Sequence, residues 1–166
     1  TSEALNRFIS ERPTYNGDLA HLISRGAPSG GGIAYLNQLC GNLGYAYSHV
    51  YSSYQNVPTY SWTVNVIAHE TGHNFGSPHT HSCTWPGGAI DGCGPTYNSQ
   101  YSEGSCAIGP IPSDGGTIMS YCHLLSTGVD LNKGFGYYPA LLITQKINNA
   151  SCLSSSCTTS VNTPTS

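Results

Sequence analysis

The chain has 166 residues, about one domain by the usual ~100–200 residues per domain, and it can bury one modest core. Charged residues make up only 8% of it and the formal net charge is −3, so there is no basic surface to neutralise a phosphate backbone, which argues against nucleic acid as a partner. No apolar run approaches the ~18 residues that span a bilayer, and a composition of 20 Gly and 12 Tyr with only 5 Lys+Arg lacks the high-charge signature of disorder.

In chain order, "SEALNRFISER" (2–12) carries Leu5, Phe8 and Ile9 at the spacing of an amphipathic surface helix and stops before Pro13. "DLAHLIS" (18–24) alternates as a short strand does, and "GAPSGGG" (26–32) reads as a loop. The Tyr-rich stretches "IAYLNQLCG" and "GYAYSHVYSSY", interrupted by Gly41 and Gly44, suit irregular strands and turns better than a helix. "SWTVNVIAHETGHNFG" (61–76) is the strongest helix signal: Trp62, Val66 and His69/His73 recur at about four residues, and Gly76 stands where a left-handed residue would end it. From Ser77 to Gly116, Gly, Pro, Ser and Cys dominate, as in a long loop region stapled by disulfides. "YPALLITQKINNASC" (138–152) predicts a second long helix with Pro139 in its first turn, and the Ser/Thr-rich tail "SSSCTTSVNTPTS" reads as a linker.

Seven cysteines at 40, 83, 93, 106, 122, 152 and 157 are scattered and do not form paired CxxC knuckles, which favours disulfides over a thiolate metal site. Persistent disulfides imply an oxidising compartment, hence a secreted or extracellular protein. The odd count leaves one thiol without a partner in the chain, and a sequence starting at Thr1 implies a removed leader or a fragment of a longer precursor, with a pro-segment or further domains outside it. The sequon Asn149-Ala150-Ser151 adds little weight to secretion.

Residues 69–83, "HETGHNFGSPHTHSC", concentrate the chemistry. Residues four apart on a helix lie one turn above each other, so His69 and His73 can aim two imidazoles at one metal ion. A third ligand needs the chain to double back, which Gly76 permits, and His79 follows just beyond the turn. The full H-E-x-x-H-x-x-G-x-x-H spacing is far more specific than its first five positions. Three neutral imidazoles leave the charge of Zn2+ intact and one position open for a water of lowered pKa, and Glu70, next to the first ligand, is placed to take that water's proton. A structural zinc site would be closed by four ligands, usually cysteines. His81, eight residues after His73, is the rival third ligand; it leaves His79 unexplained, so a supporting or solvent role suits it better. His21, His49 and His123 each stand alone as satisfied or exposed side chains. Glu103 and Asp114 could contribute to a Ca2+ site, but two scattered carboxylates are what a solvated face ordinarily offers.

The zinc motif together with "GTIMSYC" (116–122) resembles the metzincin zinc peptidases, in which a methionine, here Met119, lies beneath the histidines as an apolar floor. Among them the likeness is to the reprolysin (adamalysin) branch: "DLAHLISRG" resembles its edge strand along the substrate cleft, "GGGIAYLNQLC" the stretch after it, and "NNASCL" its ending. The resemblance implies an α+β (α/β) zincin-like domain over residues 1–153, with a mixed twisted sheet, an active-site helix and an irregular disulfide-stapled lower part, lacking the family's first strands, followed by a tail over 154–166. It implies a secreted zinc endopeptidase acting on protein or peptide substrates, with His69, His73 and His79 on one catalytic zinc and Glu70 as base. Tyr121, two after the methionine as in the astacin and serralysin branches, is by that likeness a switchable fifth ligand that steadies the oxyanion, with a plain surface or core tyrosine, one of twelve, as the alternative. It also implies the pairs Cys40–Cys152, Cys83–Cys122 and Cys93–Cys106, with Cys157 left over. Thr80 departs from the pattern, which usually has Asp after the third histidine to support the methionine turn. The alternative from another class is a non-catalytic secreted binding module retaining a structural zinc, against which the presence of Glu70 argues.

Overall fold

The computed structural model describes residues 1–25 and 30–153; most of the Gly-rich 26–32 stretch, the 154–166 tail and Cys157 lie outside the described residues. The first helix, α1 (Ser2–Glu11), forms as the apolar spacing predicts and ends two residues before Pro13. Its stripe packs on a strand made mostly of aromatic and small residues: Leu5, Tyr45 and Tyr47 are the buried centre of a cluster joined by Phe8, Ile9, Tyr15, Leu22, Ile33 and Tyr35. Tyr45 is held edge-on by Phe8 and Tyr15, at 5.5 and 4.9 Å between ring centroids, and its hydroxyl donates to the Arg12 carbonyl at 2.6 Å.

Three short strands follow, β1 (Ala20–Ser24), β2 (Gly32–Ala34) and β3 (Tyr45–His49), in the spatial order β1-β3-β2. β1 runs parallel to β3 and β2 antiparallel to it, with Leu22 and Ile33 both opposite Tyr47, so the sheet is mixed. Every residue of β3 is buried because helices cover both its faces. Tyr45 and Tyr47 face α1, whereas the small Ala46 and Ser48 alternate to the other face and let α2 (Trp62–Asn74) come close enough for the Ser48 hydroxyl to donate to the Val66 carbonyl at 3.4 Å.

The lower part is irregular, as expected, but holds a short helix, α3 (Cys93–Tyr97), and single 3-10 turns at Ser99–Tyr101, Cys122–Leu124 and Leu131–Lys133. The last helix, α4 (Tyr137–Asn148), begins after Gly136 and carries Pro139 in its first turn. A second core of Cys93, Cys122, Val129 and Leu131 binds this part together. None of the described helices is long and apolar enough to cross a membrane.

Among the described residues there are three disulfides. Cys40–Cys152 ties the segment after β2 to the end of α4, as the resemblance implies. The other two pairs are exchanged relative to that expectation: Cys83 bonds Cys106 and Cys93 bonds Cys122. The reason is local. The N-terminus of α3 packs on the 122–124 turn and puts Cys93 with Cys122 in the second core, while Cys83 and the chain at Glu103 meet backbone to backbone, the Cys83 N–H donating to the Glu103 carbonyl at 2.9 Å.

A second correction concerns the cleft. The 18–24 strand, expected to border the substrate, forms the far edge of the sheet, separated from β2 by β3. The strand that borders the cavities on either side of Glu70 is β2, with Gly30 and Gly31 before it, so Gly32 opens a strand where the sequence reads as loop.

Candidate metal centre

Helix α2 is built to present one face downward. Its indole at Trp62 donates to the His49 carbonyl at 2.9 Å, anchoring the N-terminal end to β3, and Asn74 at the other end donates to the Tyr35 and Tyr45 carbonyls at 2.9 and 3.2 Å. The helix then closes with a left-handed residue, Gly76 at φ +99°, whose N–H reaches the His73 carbonyl while Ser77 N–H reaches that of Gly72, both orphan carbonyls being satisfied. That turn sends the chain back under the helix, and His79 arrives opposite His73, with their Nε2 atoms 3.1 Å apart.

The three predicted histidines come together: one ring nitrogen from each of His69, His73 and His79 lies within 4.8 Å of the others. Each ring engages a carbonyl or carboxylate through Nδ1. His69 pairs with the Ile118 carbonyl at 2.7 Å, His73 with the Ser77 carbonyl at 2.8 Å, and His79 with a Glu103 carboxylate oxygen. Since those partners can only accept, each ring carries its proton on Nδ1 and turns an Nε2 lone pair inward. Lone pairs facing one another at 3.1 Å repel unless a cation lies between them. Tetrahedral Zn–N bonds of about 2.0–2.1 Å set ligand nitrogens about 3.3 Å apart, close to this spacing, so the residues fit the metal that the resemblance implies. Burial pushes His73 down to about 4, helped by the neighbouring His79, and holds His69 well below the ordinary range, so both rings are neutral donors at physiological pH.

Met119 is fully buried beneath α2. A Cβ added at Gly72 would lie 2.6 Å from its sulfur and 2.9 Å from the Phe135 ring, so glycine between the two helical histidines is what lets the thioether approach. Thr80, in place of the usual Asp, also serves this turn: it is 1% exposed, and both its N–H and its hydroxyl donate to the Met119 carbonyl, at 3.1 and 3.3 Å.

Glu70 is 5% exposed and lines the cavities on both sides of the histidines. It lies against the start of β2, where a Cβ on Gly32 would come within 2.3 Å of its Oε1. Burial raises its carboxyl to about 8, so near neutrality its protonated and ionised forms are close in energy. Tyr121 borders the same two cavities, with its ring 4.5 Å from that of His79. Burial, then the charges of Glu70 and Glu103, hold its phenol well above the ordinary range, so it remains a hydrogen-bond donor.

Two neighbours take places at the site other than those expected from the sequence. Glu103 grips His79 and does not share a calcium site with Asp114, which pairs with Lys133 Nζ at 2.6 Å. His123 lines the cavity of about 440 Å3 between α2 and the 122–124 turn, 5.2 Å from the Trp62 ring. Its place two residues after Tyr121 was the available signal. His81 does not join His69 and His73; it belongs to a second close group with His79 and Glu103, and is buried and stacked on His79 at 4.9 Å and 11°. A third close group, Asp91, Cys93 and Cys122, offers no thiolates because its cysteines form a disulfide.

The profile of metallo-peptidase family M12, of reprolysin type, matches residues 1–130, a stretch that holds the histidines, Glu70, Met119 and Tyr121. No curated protein matches the chain.

Proposed function

The chain belongs to the reprolysin-type metallopeptidases of family M12, and from that premise we propose that it is a secreted zinc endopeptidase in which His69, His73 and His79 hold the ion and Glu70 is the general base. The observation that carries this reading is the set of three Nδ1 bonds, to Ile118, Ser77 and Glu103, which orient three Nε2 lone pairs toward one point. Zinc at that point supplies a Lewis acid that acidifies water and polarises a carbonyl. Residues 1–153 form the catalytic unit, closed by the Cys40–Cys152 bond, and 154–166 serve as its tail. Three disulfides support secretion, because such bonds persist in oxidising compartments.

The substrate enters as an extended chain along the outer edge of β2, whose other edge is taken by β3, and adds main-chain hydrogen bonds there. That places the scissile carbonyl between Glu70 and Tyr121, which face the same cavities. Glu70 takes the proton of the attacking water and returns it to the leaving amine, its ionised form being favoured once a cation sits beside it. Tyr121, kept protonated, donates to the oxyanion as charge develops on it.

Replacing Glu70 tests the assignment. In Glu70→Ala, hydrolysis of a quenched fluorescent peptide disappears while zinc uptake, measured by competition with a chromogenic chelator, persists. Full activity in that variant would sink the mechanism.

A further inference from the structure

Of the three histidines, two have their rings fixed by backbone. His69 and His73 sit on α2 and donate to the carbonyls of Ile118 and Ser77. His79 lies on the irregular stretch between α2 and α3, and its Nδ1 has a side chain for a partner, the carboxylate of Glu103, twenty-four residues away. Holding a ring from a distance requires that the carboxylate itself be held, and several features do so. Ser82 and Glu103 form a parallel bridge, the Cys83 N–H donates to the Glu103 carbonyl at 2.9 Å, and the Cys83–Cys106 bond closes the loop at a Cα separation of 5.5 Å. The next residue, Gly104, has φ +106°, and a Cβ there would lie 2.7 Å from Cys83 Cβ, so only glycine lets the two segments close at that point.

His81 completes the arrangement. Its ring stacks on His79, its Nε2 is 3.7 Å from the same Glu103 oxygen, and its back is packed on Gly94, where a Cβ would approach the ring to 2.7 Å. The two imidazoles face one carboxylate, one by a direct hydrogen bond and one from the side.

We propose that Glu103 is a positioning residue of the metal centre: delivered by the Cys83–Cys106 clasp, its carboxylate holds the Nδ1–H of His79, fixes the tautomer that leaves Nε2 free, and so sets the affinity for the ion. This rests on the reading that His69, His73 and His79 bind a metal. A carboxylate behind a ligating imidazole orients the ring and raises its basicity, and losing such a partner typically lowers metal affinity ~10–100-fold. The outer face of Glu103 is partly open, with a side chain 36% exposed, so its replacement need not leave a buried void.

The test uses the full chain with Glu103→Ala and Glu103→Gln. Zinc affinity is measured by chelator competition, and the imidazole tautomers of the metal-free proteins by long-range 15N–1H NMR at neutral pH. Glu103→Ala should weaken zinc binding ~10–100-fold, and Glu103→Gln, which keeps an acceptor but not the charge, by less. In the alanine variant the Nδ1–H signature of His79 should give way to a mixture of tautomers while His69 and His73 keep theirs, a change that general loosening of the loop would not confine to one ring. Wild-type affinity in both variants, or an unchanged His79 tautomer in Glu103→Ala, overturns the proposal. If the alanine variant does not fold, undiminished affinity in Glu103→Gln overturns it. Failure of the wild-type protein to take up zinc would instead overturn the metal assignment on which the proposal rests.

Discussion

Gly32→Ala is the most direct probe of how the base is placed. Gly32 starts β2 opposite Ser48, and its φ lies outside the left-handed region, so its backbone accepts alanine without strain. The obstacle is Glu70. The new Cβ would stand 2.3 Å from Oε1, 2.5 Å from Cγ and 2.6 Å from Cδ, contacts with the whole outer half of the side chain. Ordinary contact begins at 3.4 Å, so the carboxylate must retreat by about 1 Å, and with only 5% of Glu70 exposed it has little room to swing aside. A misplacement of about 1 Å at a reacting group costs on the order of 10²-fold in rate. That corresponds to about 2.7 kcal/mol of transition-state stabilisation. Overpacking adds about 1–3 kcal/mol of destabilisation, less where an edge strand can yield. Peptide hydrolysis should therefore fall roughly a hundredfold in kcat while zinc affinity stays near wild type, because none of the histidines is touched. Wild-type turnover in a folded Gly32→Ala protein would show that the closeness of β2 to Glu70 has no part in catalysis.

Met119→Ala should destabilise the protein by about 2–5 kcal/mol in urea unfolding, since the side chain is fully buried against Gly72 and Phe135; a loss well below that range would mean the floor under α2 collapses to fill the space. Thr80→Val keeps shape but removes the hydroxyl bond to the Met119 carbonyl, which retains the Thr80 N–H as a donor, so a loss of about 1 kcal/mol is expected by the same assay, and a neutral result would leave the hydroxyl without a role. Acid should destabilise the metal-free Glu70→Gln protein, in which the buried carboxyl no longer titrates. The unfolded chain protonates His73 near 6.5 while the native ring resists until about 4, so the stability it contributes is complete above 6.5 and is lost as pH falls toward 4. His69 acts in the same direction, and Glu103 adds only below its ordinary 4.5. Thermal midpoints that stay level across that window would refute the burial argument.

What was legible in the sequence is what local spacing encodes. The i, i+4 histidines, the glycine that ends their helix and the third histidine beyond it are consecutive in the chain, so helical geometry and one left-handed residue suffice to bring them together. The helices at 2–11 and 137–148 were legible for the same reason, from apolar stripes and proline positions. Strand order was not, because β2 is three residues long and its neighbour in space, β3, lies beyond a segment with no periodic signal. The resemblance assigns the cleft to the 18–24 stretch, whose strand, β1, is the edge away from Glu70.

The cysteine pairs and Glu103 were hidden for one shared reason. Seventy-seven to 116 has no repeating pattern, so which of its residues meet is decided by long-range contacts: α3 against the 122–124 turn, and the chain at Ser82 against Glu103. Exchanging the partners of Cys83 and Cys93 is more than a change of bookkeeping. With Cys83 bound to Cys122 the clasp behind Glu103 would be absent, whereas Cys83–Cys106 closes a loop with two carboxylates: Glu103 is turned onto the third histidine, and Asp91 accepts from the Cys93 N–H at 3.0 Å at the start of α3. A charged residue in a Gly- and Ser-rich loop, which composition alone describes as solvated, thereby acquires a specific place: its distance from His79 in sequence says nothing, and its distance from Cys106, three residues on, says where the disulfide must put it.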